Sequence, residues 1–342
     1  MKTEGYDVVI VGFGNAAQSA AFAAHSAGAR VLVLEKAPQG KRGGNTWFSH
    51  GAQFRHVHNG IADVKPLLPH VPEKEWKKID LPPYTKDDFY SDLMRVTRGR
   101  AVPEMAELLV NESYPTVKWM RESGIQWEIL YSAAVPENGR FRWHHGSSFI
   151  HSKDGGAGLV EMWHRILQNK GIEIRFETAA ARLLTDEKGR VYGVVAQNSE
   201  GLTEIHCKGV VLGCGGFSAN PAMRAQFLGS GWDLGKVRGS RYDTGDGIQM
   251  ALEIGAQPFG HWGGSHATPI DADAGVLVNA VLKSGGNEFH GDVYADFENK
   301  SLVGTNIDDR LRRLGVGEGT RILHYYDPNV SVGGPIEHDR FW

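Results

Sequence analysis

Near the start of the chain, Gly12-Phe13-Gly14-Asn15-Ala16-Ala17 stands between an apolar run, Val8 to Val11, and an alanine-rich stretch that reaches Gly28. A second apolar run, Val31 to Leu34, closes on Glu35. Residues of these types at this spacing suit the diphosphate of a dinucleotide. Gly12 permits a tight turn, Gly14 leaves the backbone bare where a pyrophosphate approaches, and Ala17 lets the next helix lie close to the strand. The helix N-terminus offers free N–H groups and a positive dipole end to the anion. Glu35 lies where a ribose would, can accept from both hydroxyls and would repel a 2′-phosphate, so NADP is disfavoured while FAD and NAD both stay open. A sharp strand-to-helix turn without a ligand would share the glycines. It would not require the flanking strands, the spacing to Glu35, or a stretch from Ala16 to Ala27 free of Gly and Pro.

Further glycine turns carry the same chemistry. Arg42-Gly43-Gly44-Asn45-Thr46 sits within a loop expected from Lys36 to Ser49, and Leu212-Gly213-Cys214-Gly215-Gly216-Phe217 follows the short apolar run Val210 to Leu212. Thr244-Gly245-Asp246-Gly247 opens a helix expected over Ile248 to Ile254, and Ser152 to Gly158 leads into one over Leu159 to Asn169. As a set, such turns place several anion-accepting N–H groups around one long ligand. Cys207 and Cys214 share one apolar segment with neither a disulfide framework nor metal-ligand spacing, so both are expected as buried, reduced thiols and no metal site is expected.

The elements that must position these residues follow from periodicity. Helices are expected between Lys86 and Gly124, with Leu93, Val96, Met105, Leu108, Leu109, Val117 and Met120 as inward stripes. Pro66 to Pro83, proline-rich and charged, is expected as surface connection. Ile172 to Phe176, Ala181 to Thr185, Val191 to Gln197, Thr203 to Lys208 and Val210 to Leu212 are expected as strands, with a turn over Glu187 to Arg190. The 342 residues suffice for about two domains, and the net charge of −3 points to no nucleic acid. Glycine, at 44 residues, is about twice its usual share and collects in these turns. No run of eighteen apolar residues occurs, and no basic and apolar leader precedes the first strand, so no membrane span and a cytoplasmic location are expected.

Four motifs in this order, namely the N-terminal fingerprint, Arg42 to Thr46, Leu212 to Phe217 and Thr244 to Gly247, resemble the fumarate reductase and succinate dehydrogenase flavoprotein family over residues 1 to about 272. The resemblance is to its FAD-dependent oxidoreductase 2 branch, with tricarballylate dehydrogenase and 3-ketosteroid dehydrogenase relatives. It implies an α/β fold with a Rossmann-like FAD-binding domain of the glutathione-reductase type, a helical insertion and a truncated or replaced capping domain. Gly12, Gly14, Asn15, Ala16, Ala17, Glu35, Lys36, Gly43, Gly44, Asn45, Thr46 and Gly51 are implied to hold the cofactor, with Gly213, Cys214 and Gly215 closing over it. Ala180 matches a position that contacts adenine through its backbone, and Asp246 matches the acid of the downstream flavin loop. Covalent members carry a flavin-linked histidine where Asn45 stands, which implies noncovalent FAD, with His50 near enough to keep the linkage open.

His266, in Gly264-Ser265-His266-Ala267-Thr268, matches the family histidine that orients a substrate carboxylate or carbonyl, a role that supplies a hydrogen bond and positive charge to a developing oxyanion. Arg55 and His56 could face the same substrate, whereas His144 and His145 beside Trp143 are expected to pack. The implied reaction is hydride transfer between flavin and a carboxylate- or ketone-activated C–C bond. The partners implied are a small-molecule substrate, a carboxylate or enone, and an electron-transfer partner.

The family's later arginines, second histidine and glycine-serine-leucine segment have no match after residue 275. There Val278 to Gly291 and Ser331 to Ile336 resemble pieces of TonB-dependent receptors. The expected domains are therefore an FAD-binding domain over 1–232 with a helical insertion at 86–124, the start of a capping domain over 233–275, and a β-rich tail over 276–342. A non-catalytic FAD-binding protein fused to a foreign tail is the alternative function, and an NAD-dependent dehydrogenase a third.

Overall fold

The computed structural model describes residues 3–49, 52–259, 262–263, 290–299 and 324–333, the last two segments as backbone. They belong to two units, Met1–His266 and Ala267–Trp342.

In the first unit, strand β1 (Thr3–Val11) leads into helix α1 (Asn15–Ser26) and strand β2 (Val31–Leu34), the strand, helix and strand of the fingerprint. Val9, Ile10 and all of β2 are buried, as strands covered on both faces require. Helix α1 turns Ala17, Gln18, Ala21 and Phe22 inward, and its alanines let it lie close to the sheet. The sheet is completed by β3 (Glu173–Arg175), β4 (Ala179–Thr185), β5 (Val191–Asn198) and β6 (Gly201–Leu212), in the order β3-β2-β1-β6-β5-β4. Strands β3, β2, β1 and β6 pair in parallel, and β6, β5 and β4 form an antiparallel meander. Where two strands were expected over 203–208 and 210–212, one strand of 12 residues runs through. Its pairing with β1 continues across Val8 and Gly209, so the glycine does not break the ladder.

Helix α2 (Gly44–Phe48) lies inside the segment expected as loop and begins at the second of the paired glycines, Gly43 being its N-cap. Helices α3 (Lys86–Thr97) and α4 (Pro103–Ser123) form the insertion. Helix α3 starts at a capping box, with Asp88 N–H donating to Thr85 Oγ1 at 3.2 Å and Thr85 N–H to Asp88 Oδ2 at 2.8 Å. Helix α4 buries Ala106, Val110, Ser113, Val117 and Met120, a stripe of helical period. The expected stripe is corrected at Val96, Met105, Leu108 and Leu109, which are 52–68% exposed. They are apolar and helically spaced, yet Phe89 on α3 and a different face of α4 are buried instead.

Residues 66–83 are also corrected from surface connection to core. Short helical turns at Lys65–Leu67 and Glu73–Trp76 deliver Leu67, Leu68, Trp76, Ile79 and Leu81 into the cluster that holds Phe13, Trp127, Trp143 and Phe149. Helix α5 (Gly155–Asn169) begins four residues before the Leu159 start expected for it. Its Trp163 is fully buried, with its ring centroid 5.5 Å from Phe22 of α1 and 5.8 Å from Trp119 of α4, so three helices share one aromatic seam. Helix α6 (Pro221–Leu228) and helix α7 (Asp246–Glu253) follow β6. In the second unit, strands β7 (His290–Asn299) and β8 (His324–Gly333) pair antiparallel from His290 with Gly333 to Asn299 with His324.

Candidate functional site

The C-terminal ends of β1 and β6 lie side by side, and the glycine turn after each is pressed against the other. A Cβ on Gly12, whose φ is +104°, would stand 2.7 Å from Cys214 Cα and from Gly213 O. One on Gly213 would stand 2.8 Å from Ala17 Cβ. Contacts this short with backbone leave no room for a side chain, so the two turns and α1 make one bare floor.

Above that floor opens a cleft of about 360 Å³, within the range of small-molecule and cofactor sites. Of the residues implied to hold the cofactor, Gly12, Gly14, Asn15, Ala16, Glu35, Lys36, Gly44, Asn45, Thr46, Ala180, Gly213, Cys214, Gly215 and Asp246 all line it. Ala17 lies beneath the floor. Gly43 stands behind the cleft, where a Cβ would be 2.8 Å from Val160 of α5. Gly51, His50 and His266 lie outside the described residues.

The first intrahelical bond of α1 runs from Gln18 N–H to Gly14 O at 3.0 Å, so the N–H groups of Asn15, Ala16 and Ala17 precede it and have no helical partner. Thr46 Oγ1 accepts from Asn15 N–H at 3.0 Å, which joins α2 to the start of α1. The Asn15 side chain turns away, its Oδ1 accepting from Trp163 Nε1 at 2.9 Å. Asn15 thus offers backbone to the cleft while its amide fastens α1 to α5. Gly156, in the first turn of α5, donates its N–H to Ser49 O at 3.2 Å.

Glu35 is buried at the end of β2, with Oε1 accepting from Ala37 N–H at 2.7 Å. Burial pushes its carboxyl above the usual carboxylate range, opposed by that bond and by Lys36. It remains an acceptor facing the cleft. Lys36 Nζ donates to Asp246 Oδ2 at 2.7 Å and also to Thr244 Oγ1. The pair spans from the end of β2 to the start of α7, so these two residues, expected as separate contacts, act jointly. The Cys214 thiol lies under α7, where a Cβ on Gly247 would be 2.2 Å from its sulfur. Burial raises its pKa, and Cys207 is raised by the same cause. Both cysteines are free, Cys207 buried as expected and Cys214 half-buried in the cleft wall.

Ser240, Tyr242 and Asp243 also line the cleft and were missed. Their one sequence signal is that they directly precede Thr244-Gly245-Asp246-Gly247. Asn45 is bonded to this segment, with Nδ2 donating to Asp243 Oδ2 at 2.9 Å and Oδ1 accepting from Ser240 N–H at 2.9 Å.

The other polar candidates lie elsewhere. His56 is 3% exposed, with Nδ1 on Phe54 O at 2.9 Å, so it is corrected from substrate-facing to core. Arg55 stands 3.7 Å from Asp92 and over the Tyr84 ring, and Arg55 and His56 are both absent from the cleft lining. Trp143 is buried against Phe149, but the expected packing is corrected at His144 and His145, which are exposed, His145 lying 3.2 Å from Asp88. Among the described residues no His, Cys, Asp and Glu group could hold a metal, and no helix is long and apolar enough to cross a membrane.

A dinucleotide fits this arrangement. The floor is bare at Gly12, Gly14 and Gly213, the Ala16 N–H in the lining precedes the first helical bond of α1, Glu35 offers an acceptor at the end of β2, and Gly44 and Gly245 lie elsewhere in the lining. Comparison with known proteins agrees. A family described as an FAD binding domain matches residues 7–62 and 79–286, continuing past residue 276, where a foreign tail was expected to begin. The chain is 26% identical over 287 residues to a probable fumarate reductase, Ifc3, of Shewanella frigidimarina, covering 83% of this chain and 44% of that one. It is 28% identical over 260 residues to a urocanate reductase of Eggerthella lenta, covering 74% and 39%. The open conformation of a flavocytochrome c3 fumarate reductase superposes with a TM-score of 0.58 at 25% identity, over 74% of this chain and 41% of that one. The chain therefore spans less than half the length of each.

Proposed function

The chain belongs to the FAD-binding domain family, and on that premise we propose that it is the FAD-holding part of an oxidoreductase of the fumarate reductase and succinate dehydrogenase flavoprotein type. The observation that carries this reading is that four glycine turns far apart in sequence line or back one cleft, with Glu35 at its ribose end. FAD, when bound, supplies hydride exchange with a C–C bond activated by a carboxylate or ketone. Fumarate and urocanate both carry a double bond conjugated to a carboxylate, which supports that substrate class for this chain.

The residues divide the work. The N-terminus of α1, bare at Gly12 and Gly14, accepts the diphosphate, and Glu35 accepts from ribose hydroxyls. Gly44 to Thr46 would close over the cofactor from the side of α2, with Gly43 behind them, Ala180 would meet the adenine through its backbone, and Gly213 to Gly215 would continue the floor beside Gly12. Lys36 and Asp246, paired at 2.7 Å, hold the start of α7 against the end of β2. The Asn45 amide is engaged on both sides by protein groups, which supports noncovalent binding. His266 donates a hydrogen bond to the substrate carboxylate or carbonyl and stabilises its developing charge. An electron-transfer partner supplies the reducing equivalents.

The test is anaerobic. FAD-loaded protein is reduced with dithionite and mixed with a series of unsaturated dicarboxylates, urocanate and enones. Saturable reoxidation by one of them, lost in His266→Ala, is the expected result. Protein that binds and reduces FAD yet is reoxidised by none of them contradicts the oxidoreductase reading.

A further inference from the structure

Asp243 is 6% exposed, and its carboxylate sits where three cleft-lining segments meet. Its Oδ2 accepts from Ser218 N–H at 3.1 Å, from Ser218 Oγ at 2.5 Å and from Asn45 Nδ2 at 2.9 Å. Asn45 is gripped from its other side too, since Oδ1 accepts from Ser240 N–H at 2.9 Å. The backbone has closed in around this core. A Cβ on Gly215 would lie 2.6 Å from Asp243 Oδ1, and one on Gly239 would lie 2.6 Å from Asn45 Oδ1.

A carboxylate only accepts, and here donors from two distant parts of the chain converge on one of its oxygens. Bonds to an ionised acceptor are the stronger kind, and they compensate for burying the charge. The parts they join are the start of α2, the turn after β6 and the segment before α7. Each of these faces the cleft, and without the carboxylate the side-chain tie from Asn45 to the turn, among the described residues, is the longer contact from its Nδ2 to Ser218 Oγ at 3.3 Å.

The geometry points to Asp243 as a positioning residue of the FAD site: it clamps Asn45 to the 213–218 turn and so fixes the rim of the cleft around the cofactor. The Asn45 side chain belongs to this clamp, while its backbone remains in the cleft lining. The inference rests on the FAD reading for its consequence, not for its geometry.

The test uses Asp243→Ala, Asn45→Ala and the double variant carrying both, all in a Cys207→Ser background. The chain has two cysteines, so Cys214, inside the clamped turn, becomes its one thiol. In Asp243→Ala the Ser218 and Asn45 donors lose the one oxygen they share. FAD should dissociate about tenfold faster, the loss expected when one bond to a buried charged group goes. In FAD-free protein, Cys214 should react with a chromogenic aromatic disulfide faster by a similar factor. The double variant should raise both rates by about as much as the larger single change, because the two side chains act through one contact. A purely structural role would lower the urea midpoint and leave both rates near the parent's.

Parent rates in Asp243→Ala, or a double variant whose rate changes are those of its two single changes combined, would overturn the proposal. A parent that takes up no FAD would sink the FAD reading instead, and the clamp would then stand or fall on the Cys214 rates alone.

Discussion

At the floor of the cleft, backbone touches backbone: the turn at Gly12 meets the turn at Gly213 with no space for a Cβ. In the helical insertion, contact is made by side chains, and α4 could in principle bury either of two apolar faces. It buries Ala106, Val110, Val117 and Met120 and leaves Met105, Leu108 and Leu109 outside. The first region is dictated by local covalent geometry, so one residue type alone suffices there. The second is dictated by what stands opposite, and many apolar residues would serve.

The largest effect should come from Gly12→Val. The new Cβ meets backbone atoms 2.7 Å away that belong to another strand's turn, and φ is +104°. A loss of about 4 kcal/mol or more is expected, read as failure to recover folded protein or as a collapsed urea midpoint. Gly14→Val sharpens the contrast, because a Cβ there meets the Thr46 hydroxyl at 3.3 Å and Gly43 O at 3.6 Å and nothing closer. Its far-UV circular dichroism should match the parent while FAD affinity falls about a hundredfold, the effect of a side chain filling the diphosphate's place. Parent affinity in Gly14→Val would show that the phosphates bind elsewhere.

In the insertion, Met120→Ala should cost about 2–5 kcal/mol, as for a large side chain cut from a packed core. The same change at Met105 should stay within about 0.5 kcal/mol. Equal losses at the two positions in urea titrations would mean that the exposed face is covered.

The neighbourhood of the insertion also carries a pH liability. His58 is buried beside Tyr84, and burial lowers its pKa from 6.5 to about 4. The unfolded chain therefore takes up the proton first. Stability is full above about pH 6.5 and falls as pH drops toward 4, by about 3 kcal/mol in all. His56, lowered by the same cause, adds in the same direction. Urea midpoints between pH 7 and pH 4 should fall more steeply in the parent than in His58→Asn, and identical slopes would contradict the assignment.

The same contrast explains what could be read from sequence. The turn at Gly12 to Ala17, the Glu35 position and the three later glycine turns were legible because each states a backbone requirement that neighbours in sequence complete. Helical period gave α3 and α4 but not their orientation, since Val96 and Leu108 are as apolar as Val117. Leu67, Trp76 and Ile79 hid among prolines and charges, although short turns carry them into the core. Asp243 and Ser240 were missed for a related reason: their role exists only once Asn45, about two hundred residues earlier, is folded against them.

The smallest intervention tests the central claim, that the four turns make one cleft holding FAD without a covalent bond. Protein purified after incubation with FAD should be yellow with flavin absorption bands, and acid precipitation should leave the flavin in the supernatant. Protein that stays colourless, or a flavin that travels with the denatured pellet, would contradict it.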